Sequence, residues 1–84
     1  MQREEIEARV LGVFRKNKRL GSRPLDLDTT FQALSLDSLD VISIVFDLED
    51  EFRVSIQDEG VRRLRTIREA VDCIGTLLEE SRSS

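Results

Sequence analysis

The sequence predicts an all-α fold, a small four-helix bundle of three main helices and one short helix, with a long first loop. Three observations predict it. Apolar side chains recur at a 3.6-residue period in three separate stretches. Helix stop and cap signals fall between those stretches. The chain has 84 residues, enough for one small domain around one core and no second.

The first helix is read over residues 4–17. Ile6, Val10, Val13 and Phe14 share one face, with Leu11 beside them. Glu4, Glu5 and Glu7 lie in its first turns and Arg15, Lys16, Lys18 and Arg19 at its end, so both ends complement the helix dipole. Gly21 is the expected stop, and Pro24 forbids continuation. The run GSRPLDLDTTFQALSLD (21–37) is too apolar for a free linker, because Leu25, Leu27, Phe31, Leu34 and Leu36 would be exposed. It is expected to lie across the helices as an ordered connection, with one helical turn around Phe31 to Leu34.

Residues 38–52, SLDVISIVFDLEDEF, are the most informative. At about 100° per residue, Val41, Ile44, Val45, Leu48 and Phe52 form a complete core stripe. A second apolar row, Leu39, Ile42 and Phe46, lies well around the cylinder. The remaining arc holds Asp40, Ser43, Asp47 and Glu51. The many β-branched residues suit a strand, but the period and the length favour helix. A linker follows, then a short helical turn anchored by Val61 and Leu64. Thr66 and Glu69 have capping-box spacing and open a last helix that carries Ile67, Ala70, Val71, Ile74, Leu77 and Leu78 on one face. Residues 1–80 are expected to form the domain, and 81–84 a frayed, disordered tail.

Composition removes whole classes of function. There is no histidine and one cysteine, so the commonest general base is missing, and no metal site or internal disulfide is expected. The net charge is −4, which argues against sequence-independent nucleic-acid binding. No apolar run approaches the roughly 20 residues of a membrane span, and the start resembles no leader peptide. The expectation is a soluble, cytoplasmic, monomeric domain that is not an enzyme and has no catalytic residues.

The charge is segregated along the chain. Residues 1–20 carry net +3, residues 21–35 net −1, residues 36–59 net −7 and residues 60–84 net +1. The acid surplus therefore lies on and beside the 38–52 helix, where it flanks an apolar row that the core does not need. A small apolar patch rimmed by one sign of charge is a docking surface for a basic partner. The plainer alternative is a merely solvated helix face.

Asp37-Ser38-Leu39 stands where the long loop becomes the acidic helix. A hydroxyl at a helix start suits an attached phosphate, because unpaired N–H groups and the dipole favour an anion there. It equally suits a simple N-cap. Ser38 has no histidine to activate it and no Gly-x-Ser-x-Gly turn around it, so chemistry at this serine belongs to another protein.

The run Leu34-Ser35-Leu36-Asp37-Ser38-Leu39-Asp40, followed by Leu48-Glu49-Asp50-Glu51-Phe52, resembles the acyl carrier protein family. The helix order matches too, over about residues 4–78. The resemblance implies that Ser38 carries covalent 4′-phosphopantetheine, installed from coenzyme A by a phosphopantetheinyl transferase, with Asp37 and Leu39 flanking it. It further implies that the thiol of this arm holds acyl intermediates as thioesters, shuttled between enzymes of a fatty-acid, specialised lipid or polyketide pathway. Asp40, Ile42, Phe46, Asp47, Glu49 and Asp50 match docking positions for acyl-processing enzymes with basic patches, and Leu39 extends the apolar row. An aminoacyl or peptidyl carrier of nonribosomal synthesis is the alternative within carriers. An unmodified acidic-helix interaction module is the alternative outside them.

The chain departs from the family pattern at several positions. Ser35 and Arg53 stand where glycine is usual, Ser43 replaces a common glutamate, and Gln57 replaces a common proline. Val61-Arg62-Arg63-Leu64-Arg65 is basic where the family is acidic or mixed, which favours a specialised carrier. These arginines are expected to be solvated or to pair with Asp58 and Glu59. Cys73, at the flank of the last apolar stripe, is expected to be a half-buried packing residue.

Overall fold

A computed structural model describes residues 2–17, 20 and 23–83, with side chains through residue 80. It contains four helices, α1 (Arg3–Lys16), α2 (Ser38–Phe52), α3 (Asp58–Arg63) and α4 (Ile67–Ser83). The helix α1 packs on both α2 and α4, and α3 leans on α2. Lys18, Arg19, Gly21 and Ser84 lie outside the described residues. The helix stops at Lys16, with Asn17 leaving in an extended conformation.

The period-3.6 stripes become the core. Ile6, Val10, Val13 and Phe14 of α1 are buried against Ile44, Val45, Leu48 and Phe52 of α2 and against Ile67, Ala70, Val71 and Ile74 of α4. Each large aliphatic or aromatic side chain so buried contributes about 1.5–3 kcal/mol of transfer free energy. Polar contacts around the rim fix how the helices sit. Arg3 bonds Asp72 at 2.6 Å between α1 and α4. Arg9 and Lys16 lie 3.4 and 3.9 Å from Glu51 between α1 and α2. The Arg9 guanidinium also lies 5.8 Å from the centre of the Phe52 ring, within cation–π range.

The long connection is ordered, as expected, and it is tied down by backbone pairing. Thr30 bridges Thr66 in antiparallel fashion. Phe31 N donates to Arg65 O at 2.8 Å, Ile67 N to Thr29 O at 3.2 Å and Arg68 N to Leu27 O at 2.7 Å. Phe31 and Leu34 are buried, and the Phe31 ring lies 5.7 Å from that of Phe14. The turn expected there closes through Leu34 N, which donates to both Thr30 O and Phe31 O. The loop thus serves as a strap holding the α3–α4 junction.

The cap foreseen at Thr66 forms, with Glu69 N donating to Thr66 Oγ1 at 3.2 Å and Thr66 N donating to Glu69 Oε1 at 3.0 Å. The C-terminal end differs from expectation. Helix α4 continues to Ser83 where a disordered tail from 81 was expected. No glycine or proline follows Gly75, so no breaker stops the helix.

Candidate functional site

The site is built where the strap delivers the chain to α2. The N-cap is Asp37, whose carboxylate accepts from Asp40 N at 2.9 Å, while the Asp40 carboxylate accepts from Asp37 N at 3.3 Å. This reciprocal capping box pairs two backbone N–H groups of the helix entry through aspartates alone. Ser38 is therefore the first residue of α2 and not its cap. Its side chain is exposed and enters no hydrogen bond among the described residues. The signal that separates the two roles is the Asp-x-x-Asp spacing of 37 and 40, which a reading centred on the serine passes over.

Beside Ser38 a cleft of about 750 Å³ opens between α2 and α3. Val41, Ile42, Val45 and Phe46 line one wall, and Ile56, Val61 and Leu64 the other. Asp37, Asp58, Arg62 and Arg65 supply its charged edge. Below this cleft Phe14, Phe31, Leu36, Val41, Ile44, Val45, Leu48 and Leu64 close together and leave no space for a water molecule. The cleft is thus an open trough above a shut core.

The expected docking residues separate into two groups. Leu39, Ile42 and Phe46 are exposed to 76%, 42% and 63%, so the second apolar row does face outward. Asp47 and Asp50 are exposed beside it. Glu49 is half-buried, and its carboxylate accepts from Ile56 N at 2.6 Å, tying the α2–α3 connection to α2. Glu51 likewise turns toward α1. Both half-buried carboxylates are engaged by groups of this chain. Asp37 and Asp40 stand at the site, but each is also committed to the cap.

The arginines make no ion pair with Asp58 or Glu59. Arg65 instead folds back, its Nη1 donating to Arg62 O at 2.6 Å and Leu64 O at 3.2 Å. Cys73 is half-buried, as expected. Burial, with Glu80 adding to it, pushes its thiol above the usual cysteine value, which disfavours the reactive thiolate.

Among the described residues no helix is long and apolar enough to cross a membrane. The residues present fit a phosphodiester-linked arm on Ser38. The hydroxyl is accessible and uncommitted, it projects from a helix start, and the adjacent trough has room for a chain. The neighbouring side chains of the cap are carboxylates, so activation of the hydroxyl needs a base from elsewhere.

Comparisons with known proteins match most of the chain. The family model described as "Phosphopantetheine attachment site" matches residues 5–74. Acyl carrier protein 1, chloroplastic, of Cuphea lanceolata is 36% identical over 80 residues, 90% of this chain and 55% of that protein. Acyl carrier protein 4, chloroplastic, of Arabidopsis thaliana is 39% identical over 57 residues, 68% of this chain and 42% of that protein. The chain thus spans about half the length of these relatives. The crystal structure of an acyl carrier protein from Thermotoga maritima superposes with a TM-score of 0.77 at 32% identity, covering 95% of this chain and 94% of that one. The chain belongs to the acyl carrier protein family, whose cofactor is covalently attached 4′-phosphopantetheine.

Proposed function

We propose that Ser38 is the attachment site of the 4′-phosphopantetheine arm, and that the chain carries acyl groups between enzymes of fatty-acid synthesis or of a specialised lipid or polyketide pathway. The observation that carries this reading is the uncommitted Ser38 hydroxyl at the start of α2, beside an apolar trough. Once attached, the arm supplies a thiol on a long tether, which holds an acyl group as a thioester.

Attachment is the work of a phosphopantetheinyl transferase. The Ser38 Oγ forms a bond to the phosphopantetheinyl phosphorus of coenzyme A, and the pyrophosphate P–O bond breaks. Adenosine bisphosphate leaves with the electron pair, and the hydroxyl proton passes to a base of the transferase. This chain orients the hydroxyl and presents α2 for docking through Leu39, Ile42 and Phe46, flanked by Asp47 and Asp50. The chain itself is a carrier and not a catalyst. Its partners are acyl-processing enzymes with basic patches, met in the cytoplasm. The plant relatives are chloroplastic by name.

Incubation with coenzyme A and a broad-range transferase is expected to add one arm by intact mass. Ser38→Ala is expected to add none. An unmodified wild type, or equal modification of Ser38→Ala, overturns the proposal and leaves an acidic-helix interaction module.

A further inference from the structure

The three arginines after Val61 do not form one patch. Arg62 and Arg65 border the cleft beside Ser38. Arg63 borders a separate depression with Cys73 and Asp72. The Arg62 side chain is exposed and enters no hydrogen bond or ion pair among the described residues. Arg65 is preset: its guanidinium is held on the carbonyls of Arg62 and Leu64. Its own backbone is pinned by Phe31 N on its carbonyl at 2.8 Å and by its N–H on Glu69 Oε1 at 2.9 Å.

An anion esterified to Ser38 finds no cation on its own helix. Helix α2 contains five acids and no base. The Asp40 N–H at its N-terminus is already taken by the Asp37 carboxylate. Arg62 and Arg65 are the basic side chains lining the cleft, and guanidinium–phosphate contacts belong to the strong, charge-assisted class.

We propose that Arg62 and Arg65 bind the phosphodiester of the Ser38-linked arm and lay its first segment across the α2–α3 cleft. The proposal rests on Ser38 being the attachment site. Arg65 marks the place and Arg62 closes on it. The arm is then directed toward the apolar walls around Val45 and Val61, and a partner enzyme must displace an arginine–phosphate contact to draw it out.

The test is ³¹P NMR relaxation of the single phosphodiester signal in the holo-protein, with intact mass measured on the same samples. Arg62→Gln removes no contact within the described fold, and Arg63→Gln is the control on the opposite side. In wild type and Arg63→Gln the phosphorus is expected to relax as part of the folded body. In Arg62→Gln that slow component is expected to be lost, and high salt is expected to abolish it in wild type as well. An arm present by mass with the same ³¹P relaxation in wild type and Arg62→Gln overturns the arginine assignment alone. An arm missing from wild type overturns the attachment reading and this proposal together.

Discussion

Ser35 and Arg53 are the non-glycine residues with positive φ among the described residues, at 58° and 55°. Each ends a turn in the left-handed region. At Ser35, Leu36 N returns to Phe31 O at 3.1 Å and Ser35 N to Gln32 O at 3.0 Å. At Arg53, the left-handed C-cap of α2, Val54 N returns to Glu49 O at 3.2 Å. The Ser35 turn has both bonds of the Schellman arrangement, and the Arg53 turn shares its 6→1 bond, with Arg53 N also returning to Glu49 O; in each, glycine avoids a Cβ clash. These are also the two positions where the family resemblance calls for glycine. The chain therefore holds both turns at some cost in strain. Ser35→Gly and Arg53→Gly are each expected to stabilise the fold by about 1 kcal/mol, and the pair to be close to additive. Urea unfolding checks this as a higher midpoint at unchanged slope. The sequence marked both residues as departures. Their φ values, which give those departures a physical cost, come from the path the strap and the α2–α3 connection must follow.

Helix α2 carries two apolar stripes with opposite fates, and both were legible from the 3.6-residue period. Leu48 is 1% exposed and Phe46 63% exposed. Leu48→Ala is expected to cost about 2–5 kcal/mol through lost contacts and a cavity. Phe46→Ala is expected to change stability by no more than about 0.5 kcal/mol, as an exposed position should, and to slow transferase loading through lost docking area. Thermal or urea unfolding read beside loading rates separates the two stripes. Equal stability losses would show that the second row is core. Which acids of this helix face a partner was not legible. Glu49 and Asp50 are neighbours in sequence, yet Glu49 turns in to bond Ile56 N while Asp50 stays exposed. A hydrogen-bond partner seven residues away leaves no trace in periodicity. The short α3 has no buried residue of its own. It is held by Ile56 before it and by Leu64 after it, both buried.

Across the whole molecule, the charge segregation read along the chain becomes a surface pattern. Residues 36–59 carry net −7, but Glu49 is held by Ile56 N and Glu51 is paired with Arg9 and Lys16, so the outward field is weaker than the count suggests. Asp47 and Asp50 remain beside the exposed apolar row. The efficiency of transferase loading is expected to fall as salt rises from about 50 to 500 mM, because the Debye length shrinks to a few ångströms. Asp47→Asn with Asp50→Asn is expected to lower efficiency at low salt and to flatten that dependence. Loading kinetics at several salt concentrations measure both effects, and a salt-independent wild type would remove steering from the docking account.

Four helices, the core and exposed faces of α2, the Thr66 cap and the candidate serine were all readable along the chain. Each of these follows from local spacing or local capping chemistry. The Asp37 cap that leaves Ser38 uncommitted is also local, written in the Asp-x-x-Asp spacing of 37 and 40, whereas only long-range packing turned Glu49 toward Ile56 N and Glu51 toward Arg9. That packing also decided that the Arg62–Arg65 run divides between two sides of α3. Those outcomes depend on how the strap pairs with residues 65–68 and on which way α3 turns against α2. Contacts between residues far apart along the chain set that geometry, and no periodic pattern encodes them.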